Sequence, residues 1–178
     1  MFLSGELVGL RAMEPSDVEL LYNWENNLQL WSAGLTQTPF SKHVLEEFVN
    51  ASHLDIYTNK QLRLMINTLA DEETIGTIDL FDFDPTHARA GVGIFIHQNH
   101  RRKGLAEESL QLLKRYCFSI LHLHQLYADV SKKNTASLQL FIKSGFIQTG
   151  IKKHWLQTAT QQFEEVVFLQ CISTGDQI

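Results

Sequence analysis

An apolar run, Val92-Gly93-Ile94-Phe95-Ile96, passes through a polar turn into Arg101-Arg102-Lys103-Gly104-Leu105-Ala106. No other segment constrains the chain as much. The run predicts a buried strand. Past Gly104, the positions Ala106, Leu110, Leu113, Cys117 and Leu121 fall on one face of a helix. The first amides of such a helix have no intrahelical partner, and its macrodipole places partial positive charge there. Gly104 brings no side chain to block a close approach, and the cations Arg101, Arg102 and Lys103 add attraction. The junction from Arg101 to Ala106 is therefore expected to hold a phosphate-bearing ligand.

Two familiar phosphate loops are excluded by spacing. A P-loop requires a second glycine followed by Lys and Ser or Thr, whereas Leu105 follows Gly104 here. A dinucleotide fingerprint requires its glycines at the strand-to-helix turn, and Gly91 and Gly93 lie inside the strand instead. A second segment adds to the first. After a predicted strand, Leu126–Val130, Asn134 stands as an N-cap, and Leu138, Phe141 and Ile142 give a short apolar face. Gly145 occupies the position that ends a helix, and Phe146 opens another strand.

R-x-x-G-x-A after an apolar strand, followed by N-x-x-S-x-x-x-F-x-x-x-G-F, resembles motifs A and B of the GNAT family of N-acetyltransferases. The opening L-R-x-x-x-x-x-D, with Trp24-Glu25-Asn26 on the helix after it, resembles one branch of that family. That branch holds the spermidine acetyltransferases and the ribosomal-protein N-terminal acetyltransferases. The resemblance implies an α/β (α+β) GNAT fold over residues 1–178 as a single domain. It also implies a mixed, largely antiparallel sheet of about seven strands, a splayed parallel strand pair at its centre, and about four helices on its two faces.

The residue pattern supplies the elements. Leu7–Ala12 reads as a first strand, and Ser16-Asp17 as the cap of a helix through Leu20, Leu21 and Trp24. A second helix is expected near Ser41, with Val44, Leu45, Phe48 and Val49 as its face. Leu62–Leu69 and Thr74–Phe83 read as a hairpin joined at Ala70–Glu73, and Phe163–Ile172 as the closing strand.

In the family, acetyl-CoA is the co-substrate, and its pyrophosphate is gripped by the loop that here runs from Arg101 to Ala106. The backbone of the strand before that loop supplies donors to the thioester and pantetheine. Here those positions are Ile94, Phe95 and Ile96, with His97 just beyond. Asn134, Ser137 and Phe141 stand where motif B flanks the pantetheine arm. Spermidine acetyltransferases use a tyrosine at the position of Phe141, and phenylalanine has no proton to give. The resemblance to the ribosomal-protein branch offers Ser137 as the acid instead.

An amine must lose a proton before it attacks a thioester, so a base is needed. Asp79 and Glu25 are the candidates, with His97 and His100 as alternatives. No metal is expected, because His122 and His124 have no further ligands at suitable spacing. The acceptor is read as a small-molecule or peptide primary amine. Trp31 to Phe40 carries no carboxylate to recognise a polyamine, and Trp24, Trp31 and Phe40 are candidate walls of the acceptor site.

Composition sets the remaining bounds. A net charge of −5 argues against a nucleic-acid partner. No apolar stretch reaches the ~20 residues a membrane span requires, and because Met1–Ser4 leads directly into a predicted strand, no signal peptide is expected. The two cysteines, Cys117 and Cys171, each lie in an apolar element. They are expected to be buried free thiols of a cytoplasmic chain. Assembly as a homo-oligomer is left open.

Overall fold

A computed structural model of the protein describes residues 3–27, 38–51, 55–158 and 161–174. In chain order the elements are β1 (Leu3–Ser4), β2 (Val8–Ala12), α1 (Val18–Glu25), α2 (Lys42–Ala51) and α3 (Ile56–Asn59). Then come β3 (Leu62–Thr68), β4 (Thr74–Asp84), β5 (Arg89–Ile96), α4 (Leu105–Ser119) and β6 (Gln125–Ser131). The order closes with α5 (Thr135–Lys143), β7 (Ile147–Gln157) and β8 (Phe163–Ile172).

Among the described residues, the eight strands join one sheet in the order β1-β2-β3-β4-β5-β6-β8-β7. The sequence leads to an expectation of about seven. The additional strand is β1, whose two residues are too short to show alternation. Five α-helices occur among the described residues, against about four expected. The additional one is the four-residue α3, whose Asp55 side chain accepts from the Thr58 N–H at 2.8 Å. Every neighbouring pair is antiparallel except β5 with β6.

Alternation divides the sheet into two faces. Leu64, Ile66, Ile78, Leu80, Val92 and Leu126 pack with Leu110, Leu113 and Cys117 of α4 in the larger core. Met65, on the opposite face, packs with Leu21 of α1 and with Leu45 and Val49 of α2 in a smaller one. Val44, expected on the buried face of α2, is instead 45% exposed. Both cysteines are buried and free.

Two local details differ from the simplest reading. Asp17 does precede α1, but its carboxylate bonds no helical N–H. It accepts from the Glu14 N–H at 2.8 Å and from both terminal nitrogens of Arg11 at 2.7 Å. Glu108, in the first turn of α4, accepts the backbone N–H groups of Glu6, Leu7 and Val8 at 2.6, 2.8 and 2.8 Å. That carboxylate fastens the β1–β2 turn to the helix. Among the described residues, no helix is long and apolar enough to cross a membrane.

Candidate active site

Strand pairing creates the opening. β5 pairs with β4 from Arg89 to Ile96, but with β6 only at Arg89, Ala90 and Gly91. From Val92 onward its outer edge is not paired with β6. Backbone groups alternate sides along an antiparallel strand. The Phe95 carbonyl lies against Gly76 of β4, and the His97 N–H donates to the Ile75 carbonyl at 2.8 Å. Ile94 and Ile96 therefore direct their backbone groups to the open edge, where the Ile96 carbonyl accepts from Arg101 Nε at 2.9 Å. Of the expected donor positions, Ile94 and Ile96 face the opening, while Phe95 and His97 are engaged with β4.

The loop beyond that edge forms an amide cradle. Arg102 has φ 62° and Gly104 φ 80°, which turns the chain sharply into α4. The N–H groups of Arg102, Lys103, Gly104, Leu105 and Ala106 donate to no acceptor among the described residues. A Cβ on Gly104 would meet only Leu7 Cδ1, at 3.9 Å. The space in front of it is thus left open by the protein. The two acids in the first turn do not compete for the cradle. Glu108 is committed to the β1–β2 turn, and Glu107 lies 3.5 Å from Lys143. Arg102 and Lys103 stand exposed, without an ion pair among the described residues. Free donors, open space and uncommitted cations suit a pyrophosphate group.

On the sheet face covered by α1 and α2, a cleft of about 340 Å³ is lined by Glu25, Phe40, Phe48, Arg63, Asp79 and Phe81, among others. Arg63 stands directly opposite Asp79 in the β3–β4 register. Its Nε donates to Asp79 Oδ1 at 2.6 Å and its Nη2 to Asp79 Oδ2 at 3.2 Å, while Nη1 reaches Glu25 Oε1 at 2.7 Å. Both base candidates therefore converge on one guanidinium. Burial pushes the Asp79 carboxyl up, and Arg63 offsets this only in part, so its pKa lies above the usual carboxylate range. Burial opposes the Arg63 charge, but the two carboxylates outweigh it and raise its pKa further.

Asp79 pairs across the ladder with Gly93 of β5, and a Cβ at Gly93 would be 3.9 Å from the Asp79 Cβ. No side chain of β5 at that position fills the space between the carboxylate and the open edge. The base candidates thus lie beside the strand expected to present the thioester.

The remaining expected residues divide. Asn134 caps α5 by accepting the Ser137 N–H at 3.1 Å. Ser137 is half-exposed, and its hydroxyl makes no hydrogen bond among the described residues. Phe141 is 3% exposed, with its ring edge-on to Phe146 at 5.0 Å. That ring belongs to the core. Trp24 meets Phe95 edge-on at 5.2 Å and stacks over His97 at 6.3 Å, which places it at the end of β5. His100 Nε2 faces Glu73 at 3.3 Å, so His100 is held toward the hairpin turn. Residues 28–37, with Trp31 and most of the carboxylate-free stretch, lie outside the described residues. No cluster of three or more metal-capable side chains occurs among those described.

Two residues of the site carry no signal in the sequence. Arg63 is a lone cation in an apolar strand, which gains meaning only once Asp79 is seen opposite it. Tyr127 lies where β5 and β6 part, and its hydroxyl donates to Asp82 Oδ2 at 3.2 Å. Burial and the neighbouring Asp82 push that hydroxyl up to about 12, so it stays protonated at neutral pH.

Similarity to known proteins agrees with this geometry. Residues 8–147 match the model of the acetyltransferase (GNAT) domain. The spermidine N(1)-acetyltransferase of Vibrio cholerae is 28% identical over 163 residues, covering 90% of this chain and 92% of that protein. The crystal structure of the Vibrio cholerae spermidine N-acetyltransferase in complex with CoA and spermine superposes with a TM-score of 0.83. It is 25% identical, over 93% of this chain and 95% of that one. A dodecameric structure of the Vibrio cholerae enzyme in an intermediate state gives 0.77 at 26% identity, over 93% of each chain. With the anion cradle, the parted strands and a domain match over most of its length, this chain belongs to the GNAT family and is an N-acetyltransferase that moves an acetyl group to an amine.

Proposed function

We propose that this chain, acting as one domain over residues 1–178, carries an acetyl group from acetyl-CoA to a small primary amine. The carrying observation is that Asp79, paired with the Arg63 guanidinium that also holds Glu25, faces the Gly93 position on the strand whose outer edge is open. An acceptor in the α1–α2 cleft would therefore meet a base and the thioester-binding edge together. When bound, acetyl-CoA supplies the activated acetyl thioester.

The chain's own residues do the rest. The amides from Arg102 to Ala106 and the cations Arg101, Arg102 and Lys103 hold the pyrophosphate. Backbone groups of Ile94 and Ile96 orient the pantetheine and thioester. Asp79 accepts the proton the ammonium must shed, with Glu25 as the second carboxylate of the cluster. A carboxyl lifted above its ordinary pKa is a stronger base once ionised. Ser137 Oγ donates toward the leaving sulfur.

The likeness to spermidine acetyltransferases favours a second reading, in which the acceptor is a polyamine. The charge balance of the described cleft favours the first. One cation and two carboxylates leave a net charge of −1, which suits a single ammonium. Self-assembly is supported by the dodecameric relative, and a cytoplasmic setting by the two buried free thiols. The test is thiol release from acetyl-CoA over a panel of amines, with the products identified by mass spectrometry. Acetylated monoamines are expected. Tight acetyl-CoA binding without turnover on any amine would overturn the proposal.

A further inference from the structure

We infer that Arg63 is a specificity-determining residue, a built-in cation that fills the position between Glu25 and Asp79 and so excludes multiply charged amines. The inference deepens the proposed function and rests on its reading of the α1–α2 cleft as the acceptor site. Three guanidinium nitrogens reach two carboxylates at 2.6, 2.7 and 3.2 Å. The Phe48 ring closes the stack, with its centroid 5.3 Å from Arg63 Cζ. The three charged side chains are each only about a quarter exposed, at 21% for Arg63, 24% for Glu25 and 25% for Asp79. Their charges therefore act on one another with little screening.

Two facing carboxylates in a half-closed cleft would make a binding site for a second ammonium. Arg63 removes that site in two ways. It takes up the acceptor oxygens, and it holds a fixed positive charge where the second cation would have to stand. Arginine cannot escape the role by deprotonating, since both carboxylates stabilise its charged form. Selectivity of this kind works by repelling the wrong ligand, with no added contact to the right one. The single ammonium of a monoamine needs only Asp79 Oδ2, which Arg63 reaches at the longer 3.2 Å and which no β5 side chain covers, because Gly93 stands beside it.

The experiment compares spermidine with hexylamine on the wild type, Arg63→Gln, Arg63→Lys and the double variant Arg63→Gln/Glu25→Gln. It reads the ratio of kcat/KM values with acetyl-CoA, and the melting temperature with each amine alone. Arg63→Gln is expected to raise the spermidine-to-hexylamine ratio by at least about tenfold, and to be stabilised by spermidine where the wild type is not. Arg63→Lys keeps the cation and should stay near the wild-type ratio. The double variant returns the cluster to the wild-type net charge and should lose the gain.

An unchanged ratio in a folded Arg63→Gln protein overturns the inference, as does a wild type that prefers spermidine by more than about tenfold. If Arg63→Gln does not fold, the wild type and the double variant decide, because both carry the same cluster charge and must share the same preference. If the wild type acetylates neither amine, turnover on the wider amine panel decides the proposed function. The melting temperatures with spermidine still decide the role of Arg63.

Discussion

The ring of Phe81 lies where a Cβ on Gly91 would stand. Gly91 is also the last residue at which β5 pairs with β6. Phe81 in turn meets Tyr127 edge-on at 6.0 Å. The absence of one side chain therefore lets an aromatic ring lie flat at the point where the two strands part. Gly91→Ala should cost about 1–3 kcal/mol through overpacking, read as a lower midpoint in denaturant. Phe81→Leu in the same chain should recover much of that loss, since residues in contact do not add independently. Additive losses in the double variant would show that the ring is not what Gly91 accommodates.

Gly104 has φ 80° and open space in front of it. Valine there would strain the backbone as well as block the cradle, so a loss of binding would have two causes. Asparagine tolerates the left-handed region and still brings a side chain to the amides. Gly104→Asn is expected to weaken acetyl-CoA binding by at least about tenfold, equivalent to about 1.4 kcal/mol, while the melting temperature shifts little. Calorimetric titration giving wild-type affinity would remove this loop from the cofactor site.

Motif B gives a paired test. Asn134→Ala removes the cap of α5 and should destabilise the protein by about 1 kcal/mol. Ser137→Ala leaves that hydrogen bond intact, because Asn134 accepts from the Ser137 backbone. If the hydroxyl assists the leaving thiolate, Ser137→Ala should lower kcat by about tenfold or more, with unchanged stability and acetyl-CoA affinity. An unchanged kcat would take Ser137 out of the mechanism.

The pair between Asp17 and Arg11 gives a pH dependence with a definite sign. Burial alone would raise the Asp17 carboxyl, but the Arg11 guanidinium and the Glu14 N–H hold it below the usual range. A depressed folded-state pKa adds stability that is fully present above the unfolded value of about 3.9 and is lost as pH falls through the folded value. Asp17→Asn should therefore cost about 2 kcal/mol at neutral pH. Its deficit against the wild type should shrink as pH drops below about 4. Denaturant melts across that range check it, and a deficit that grows with acid would contradict the sign.

Much of the molecule is legible in the sequence, because the signals are local. The Asn134 cap, the glycine after α5, the long stripe of α4 and the strand Phe163–Ile172 follow from spacing within a few residues. The anion cradle is legible for the same reason, since a strand, a loop and a helix N-terminus are contiguous along the chain. Phe141 reads in the sequence as a missing acid, whereas the fold packs its ring in the core against Phe146.

The charged cluster is not legible, and the reason is a single irregularity. Asn67 pairs with Thr74, but a bulge between Ile66 and Asn67 shifts the register, so that Ile66 pairs with Gly76 and Arg63 meets Asp79. Counting back from the turn without that bulge sets Leu62 opposite Asp79. A slip of one residue reverses which side chains share a face. The chemistry of each residue, the strand-to-helix anion site and the order of the elements are thus determined by sequence alone. Only tertiary structure decides that Glu25, Arg63 and Asp79 share one cleft, because that depends on a bulge and on packing between residues far apart along the chain.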